Sequence, residues 1–498
     1  MKFSYVLAVL SGGLFSIGFA PFNLWPLSII SLVIYIYLLR DLAYLESFKI
    51  GFLYGFGLWL VGISWLYVSI HFHGNLSVIY SLLITLLFIF YLSIYMALQA
   101  LLFRYLKNKT FSDALIAFPS TWLLFEIIRG SWFSGFPWLI AGTAIGDSYF
   151  DGWIPLIGAT GTSLFMLILA GSLFLLIDNL KRKVSITLPF VIFFISLLSG
   201  YLLKEISWTS KAQVLDVSVY QPNLTLKQKW SYKGIEKTKS LIEKAIHEAN
   251  NYELIIFPET ALILNEDQQK EWLDKIHFQA SAKHIGLITG IIERGLGEES
   301  NELSKISNRL KGFGLASGFY DKIQLVPFGE YIPLSGYIGK FLDILDLKLT
   351  NTLPGTDINL IRLGEIYIAP SICYEIAFSN LIRKSAIGST LLVTISNDTW
   401  FGSSIGPYQH LEIAQNRAIE HQKGLIRSTN SGISAIIDKK GRIIKKQGFF
   451  EEKSLNSQVY SNKGTTPFAQ YGNIPIYFYL IISFTILIIK RKQKFYKI

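Results

Sequence analysis

The sequence predicts a polytopic α-helical membrane bundle of about eight spans joined to an extramembrane α/β domain. Three observations lead there. Hydrophobic residues make up 51% of the 498 and charged residues only 16%, with a positive mean hydropathy of +0.40. The charges are segregated, being sparse in 1–204 and dense in 205–470. Inside 205–470, short β-branched runs alternate with stretches of helical periodicity, the pattern of layered α/β domains.

A spanning helix needs about 20 mostly apolar residues. Runs of that order fall near 4–20, 22–39, 50–70, 77–103, 112–128, 157–179 and 185–203, with a shorter eighth at 474–489 before the basic tail "KRKQKFYKI". The first run has a single Lys2, no A-x-A site before Pro21 and immediate continuation into a second run, so it reads as a retained span rather than a cleaved signal. The aromatic, glycine-rich segment 130–153 reads as interfacial or re-entrant. This gives a membrane domain at 1–204, an extramembrane domain at 205–470, and a terminal span with its basic tail at 471–498.

Lys and Arg fix the expected orientation. With the N-terminus in the cytoplasm, the inner segments hold Lys2, Arg40 to Lys49, Arg104 to Lys109, Lys181 to Lys183 and the tail from Lys490. The outer loops "APFN" and "HFHGN" hold neither residue type, and 129–156 holds only Arg129. The positive-inside rule then places 205–470 across the membrane. These anchors account for most of the net charge of +11, so nucleic acid is not an expected partner. A single cysteine suits an oxidising compartment, where spare thiols are a hazard.

Within 205–470, strands are expected at 213–223, 252–260, 284–293, from Ile366 to a stop at Pro370–Ser371, and at 391–401. Helices are expected at Gly234–Asn250, near 266–283 and over "PYQHLEIAQNRAIEHQ". Hairpins are expected at 309–322 and around Lys440–Gly441. Three apolar strands end in polar residues: Glu259 in "FPET", Cys373 in "ICYE" and Asn397–Asp398 in "SNDTWFG". Ligands of α/β folds gather beyond such carboxyl ends. Taken singly, Glu259 reads as a helix N-terminal carboxylate, Asp398 as a turn residue and Cys373 as a small buried hydrophobe. Lys322, set with Glu330 in "YDKIQLVPFGEYIP", reads alone as a surface lysine paired with Asp321. Together they are a thiol, a base and a cation, which are the requirements of acyl transfer. The seven histidines and one thiol show no metal-ligand spacing, so neither a metal nor an organic cofactor is expected.

These residues resemble the carbon–nitrogen hydrolase (nitrilase) superfamily, in which Glu, Lys and Cys occur in that order: Glu259, Lys322, Cys373. The segments "GFAPFNLWPL", "GFGLWLVGISWLYVSIHFHG" and "FEIIRGSWFSGFPW", with "NDTWFG", "GPYQHL" and "IRSTNSGISA", narrow the resemblance to the apolipoprotein N-acyltransferase family over nearly the whole chain. The resemblance implies an αββα sandwich for the extramembrane domain. It implies a multi-pass protein of the bacterial inner membrane with that domain in the periplasm. It further implies that Cys373 takes an acyl chain from a membrane phospholipid as a thioester, then passes it to the α-amino group of a diacylglyceryl-cysteine on an apolipoprotein. Glu259 would be the base, and Lys322 with the Tyr374 N–H would hold the oxyanion. Glu330, Tyr374 and Glu375 would support the site. Trp230 and Trp400 would contact substrate, as would Tyr337 and Phe341.

The last two lie on "IPLSGYIGKFLDIL" (332–345), where Leu334, Tyr337, Ile338, Phe341, Leu342 and Leu345 recur at helical spacing. This stripe reads either as a helix packed on its own domain or as a lid dipping towards lipid. Arg417 and Arg427 could meet phosphate, but pairing with neighbours such as Glu420 is the better reading. A closed catalytic unit suggests a monomer. A membrane-anchored amidase would need fewer spans. A transporter would need paired intramembrane charges, whereas the only candidates, Glu126 and Arg129, fall near an interface.

Overall fold

The computed structural model describes residues 2–108, 111–249, 254–294, 306–333 and 352–495. The chain forms two compact units. The first comprises Met1–Ser207, Phe401–Asn416 and Thr466–Ile498; the second comprises Trp208–Trp400 and Arg417–Thr465.

The first unit is helical: α1 (Lys2–Ser16), α2 (Trp25–Leu39), α3 (Tyr44–Gly62), α4 (Trp65–Val68), α5 (Val78–Leu106), α6 (Phe118–Ser131), α7 (Ile154–Arg182) and α8 (Thr187–Lys204). Among the described residues, four helices are long and apolar enough to cross a membrane: Val78–Leu106, Asp151–Arg182, Thr187–Lys204 and Ile474–Gln493. A fifth is reached if the bent pair Tyr44–Gly62 and Trp65–His73 counts as one span. Of the eight expected runs, 4–20 and 22–39 become helices of 15 residues each. The turn through Gly18 and Pro21 shortens the first, and Pro26 starts the second only at Trp25. The segment 130–153 holds only the 3₁₀ turns Ala141–Ile145 and Asp151–Trp153 past the end of α6.

Helices of this unit approach closely through small residues. A Cβ on Gly12 would lie 2.0 Å from the Tyr54 carbonyl oxygen, and one on Gly57 would lie 1.9 Å from that of Val9, so α1 and α3 touch backbone to backbone. Buried polar groups satisfy one another: Tyr35 stacks on Tyr54 at 3.9 Å, donates to Gln99 Oε1 at 2.9 Å, and Gln99 Nε2 donates to Thr121 at 3.0 Å. Glu126 and Arg129, expected near an interface, are buried within the unit. The Glu126 carboxylate accepts from Trp122 Nε1, the Ala141 N–H and Ser163 Oγ. Arg129 donates to the Phe136 and Trp138 carbonyls and lies over the Trp59 ring.

The second unit contains two sheets, of order β13-β1-β2-β3-β4-β6 and β12-β11-β10-β9-β8-β7-β5. The first is built from β1 (Thr209–Gln221), β2 (Leu254–Ile256), β3 (Gly286–Arg294), β4 (Ile306–Gly314), β6 (Phe319–Asp321) and β13 (Lys453–Gly464). The second is built from β5 (Ala316–Ser317), β7 (Ile361–Leu363), β8 (Ile366–Ile372), β9 (Leu391–Ser396), β10 (Leu425–Thr429), β11 (Ala435–Ile437) and β12 (Ile443–Lys446). One buried cluster draws on both, with Val217, Ile256 and Ile288 from the first and Ile368, Val393 and Ile426 from the second. Alternate side chains of each strand therefore face a shared core. On the opposite face of the first sheet, Ile242 and Ile246 of α10 (Tyr232–Glu248) and Leu273 and Ile276 of α11 (Lys270–Ala282) form a second cluster with Ile255 and Leu287.

Two expectations need correcting. Strand β8 does not stop at Pro370 and Ser371 but continues to Ile372, still paired in parallel with β9. Its other neighbour, β7, ends at the Ile361↔Ile368 pair, so beyond Ile368 one edge carries no ladder and a residue without an N–H is tolerated. The helix expected over "PYQHLEIAQNRAIEHQ" forms at Gly406–His421, yet residues 401–416 belong to the first unit. Several of its polar side chains bond inside that unit. Gln409 Oε1 accepts from the indoles of Trp65 and Trp138 at 3.2 and 2.7 Å. Its Nε2 donates to the Gly62 carbonyl at 3.0 Å, capping the broken end of α3. Glu412 accepts from the Ala20 N–H.

Candidate active site

Strands β2, β8 and β9 are parallel members of their sheets, and the residues leaving their carboxyl ends meet. Glu259 follows β2 through Phe257–Pro258 and is 6% exposed. Its Oε2 accepts from the Asn397 N–H at 2.8 Å. Its Oε1 accepts from Asn308 Nδ2 at 2.7 Å and Lys322 Nζ at 3.3 Å. Lys322 follows β6 and is 1% exposed. It is not the surface partner of Asp321, which is held by Arg309. Its ammonium lies between two carboxylates, with Glu330 Oε1 the nearer at 2.8 Å. Glu330 is itself fixed by the Val326 N–H at 2.8 Å.

Cys373 is the first residue after β8, opposite the end of β9, where Ile372 pairs with Ile395. It is partly exposed and adopts φ +55°, a left-handed turn uncommon for a residue with a Cβ. The 3₁₀ turn Cys373–Ala377 that follows is anchored by Glu375. This fully buried carboxylate accepts from Tyr320 OH (2.8 Å), the N–H groups of Ile323 (2.7 Å) and Gln324 (3.0 Å), and the N–H of Ile372 (2.7 Å). One side chain thus ties the thiol turn to the loop that carries Lys322.

The electrostatics follow from burial and neighbours. Burial pushes the Cys373 thiol up to about 12, with Glu259 adding to the rise and Lys322 opposing it. Burial alone would raise the Glu259 carboxyl, but Lys322 and Lys229, with the bonds from Asn308 and Lys322, hold it below the ordinary range. Burial would lower Lys322, but Glu330 and Glu259 outweigh it and the ammonium is kept charged. Glu375 is pushed up to about 7, chiefly by burial. The resting arrangement is a protonated thiol beside an ionised base and a fixed cation. Such a thiol needs its proton removed as it attacks.

The structure therefore brings together Glu259, Lys322, Cys373, Glu330 and Glu375, with Tyr374 half-buried on the same turn. Trp230 and Trp400 are 58% and 44% exposed. Tyr337 and Phe341, like most of the 332–345 stripe, lie outside the described residues. Arg427 donates to Asp398 and Arg417 to Glu420, so the ion-pair reading of both arginines holds. Sequence reasoning missed two side chains. Asn308 is a buried polar residue within the apolar alternation of β4, a signal that was available. Lys229, next to Trp230 in "QKW", is 4% exposed. Its Nζ donates to the Glu259 carbonyl at 2.7 Å and to Thr260 Oγ1 at 2.6 Å.

Comparison with known proteins matches residues 216–462 to the carbon–nitrogen hydrolase family and residues 11–172 to the apolipoprotein N-acyltransferase N-terminal domain. The apolipoprotein N-acyltransferase of Wigglesworthia glossinidia brevipalpis is 34% identical over 98% of this chain and 99% of its own length. That of Pseudomonas syringae pv. tomato is 34% identical over 96% and 95%. Among solved structures, a nitrilase-superfamily protein of Saccharomyces cerevisiae aligns with 50% of this chain and 91% of its own at 18% identity and a TM-score of 0.39.

Proposed function

The chain belongs to the apolipoprotein N-acyltransferase family, and from that premise we propose that it moves an acyl chain from a membrane phospholipid to the N-terminal amine of a diacylated apolipoprotein through a thioester on Cys373. The observation that carries this reading is the buried Lys322 ammonium held between Glu259 and Glu330 at the strand end where the chain's one thiol turns out of β8.

In the first half-reaction Glu259 takes the thiol proton while the sulfur attacks the ester carbonyl carbon. Lys322 and the Tyr374 N–H stabilise the charge on the carbonyl oxygen. The tetrahedral adduct collapses, the glycerol oxygen leaves with the proton from Glu259, and a lysophospholipid and a thioester remain. In the second, the neutral α-amine attacks the thioester and gives a proton to Glu259. The C–S bond breaks, an amide forms, and the sulfur recovers its proton. A thiol pushed up to about 12 favours this coupled proton transfer over a standing thiolate, because the base works only where the carbonyl is in place. Glu330 keeps Lys322 charged, and Glu375 holds the two loops in register. Trp230, Trp400, Tyr337 and Phe341 are assigned to lipid contact.

The architecture we read is an eight-span bundle in the bacterial inner membrane carrying an αββα sandwich on the periplasmic side. The distribution of Lys and Arg, the apolar helices and the two sheets sharing one core support it. The test is incubation of the detergent-solubilised protein with a phospholipid carrying a labelled acyl chain. Hydroxylamine-labile label on the protein, absent from Cys373→Ala and discharged by a diacylated lipopeptide, is expected. Label that persists in Cys373→Ala, or label that never forms, overturns the reading.

A further inference from the structure

Lys229 is a buried cation to which the reaction above gives no part. It closes the short helix α9 (Leu226–Lys229), which is fixed by a reciprocal cap between Thr225 and Gln228. Its ammonium does not reach the Glu259 carboxylate directly but grips the backbone behind it. It donates to the Glu259 carbonyl at 2.7 Å and to the Thr260 hydroxyl at 2.6 Å. That backbone requires a grip. Thr260 has φ +45°, a left-handed conformation that a β-branched residue adopts only when its surroundings enforce it. The turn also rests on β3. The Gly290 N–H donates to the Pro258 carbonyl at 3.2 Å, and the Leu262 N–H donates to the Gly290 carbonyl at 3.0 Å. The turn lies so close that a Cβ on Gly290 would come within 2.4 Å of the Thr260 nitrogen. Gly290 packs against the turn and Lys229 holds it by two hydrogen bonds.

We infer that Lys229 is a positioning residue for Glu259, holding the strand-end turn that aims the carboxylate at Lys322, Asn308 and the Asn397 N–H. The lysine acts through the Glu259 backbone, and its field on the carboxylate is a second contribution of the same sign. The role rests on the reading of Glu259 as the base, and its test does not depend on lipid. Cys373 is the only thiol in the chain, so its alkylation by iodoacetamide reports the competence of the base directly. In the wild type the rate is expected to rise with pH through an acid limb set by Glu259, and Glu259→Gln should abolish that limb.

Lys229→Met is expected to slow alkylation at neutral pH by about 10²-fold, the scale of an ångström-sized misplacement. It should also move the acid limb to higher pH, because a stabilising cation has been removed. A purely structural lysine would leave that limb in place. Thr260→Val, which removes one hydroxyl and keeps the cation, should slow the rate about threefold to tenfold, in proportion to one lost hydrogen bond. If Lys229→Met does not fold, Thr260→Val decides the matter alone. Alkylation at the wild-type rate with an unmoved acid limb in the folded variants overturns the inference. A limb absent from the wild type overturns both this inference and the role of Glu259 as base. Failure of the phospholipid assay alone, with the limb intact, overturns only the substrate.

Discussion

The two units bury polar groups in different proportions, though the helical one also encloses Glu126 and Arg129. In the helical unit the interior holds mainly neutral hydroxyls and amides: Ser31 with Tyr54, Tyr35 with Gln99, Gln99 with Thr121, and Gln409 with two indoles. Each satisfies a group that has no water to turn to, and the helices are joined as a result. In the unit of two sheets the buried polar groups include full charges: Lys229, Glu259, Lys322, Asp398 and Arg427, all nine-tenths or more buried. Removing such charges from water is costly even when they are paired. Glu259, Lys322 and Asp398 follow the ends of strands, and charges gathered there are a mark of chemistry, whereas the hydroxyls and amides of the other unit are a mark of packing.

Mutation can break or sharpen that contrast. The largest effect is expected from Cys373→Ala: thioester formation should fall by about 10⁴-fold or more, while the urea unfolding midpoint stays close to wild type. A collapse in stability instead would place the thiol with the packing groups. Lys322→Met leaves the buried Glu259 and the partly exposed Glu330 without their common cation. It should cost about 3–5 kcal/mol, the scale of a broken buried pair, measured by chemical denaturation. Gln409→Leu strips the partner from two indoles and a carbonyl in the helical unit and should cost about 1–3 kcal/mol. A loss as large as that of Lys322→Met would erase the distinction between the units. The smallest effect is a pH dependence. Glu259 is held below the ordinary carboxylate range, so its interactions stabilise the fold above the unfolded-state value. That stability is lost as pH falls through the depressed one. The stability gap between wild type and Glu259→Gln should therefore narrow on acidification, and a gap that widens refutes the assigned charge.

Much of this was legible in the chain. Glu259 and Cys373 each follow an apolar β-branched run, and a lone cysteine has few ordinary explanations. Lys322 was legible only in their company, because nothing local separates it from a surface lysine. Lys229 was not legible: its role depends on a turn 30 residues away in sequence, and periodicity carries no information about that. The packing of the helix from Gly406 was not legible for a related reason. Gln409 and Glu412 are polar in sequence, and only the indoles, carbonyl and N–H groups of the first unit show what they bond. Helix length was less legible than apolar content, because hydropathy does not register the breaks at Gly18–Pro21 and at Ile63, where the backbone leaves the helix.

The Asn397 N–H that receives Glu259 belongs to the seven-stranded sheet side, while Glu259 leaves the six-stranded sheet. Under the proposed chemistry, base and nucleophile therefore become partners only after the two sheets have closed on each other. A nascent chain, threaded among the very lipids it will later cleave, carries its sulfur unarmed until assembly is complete.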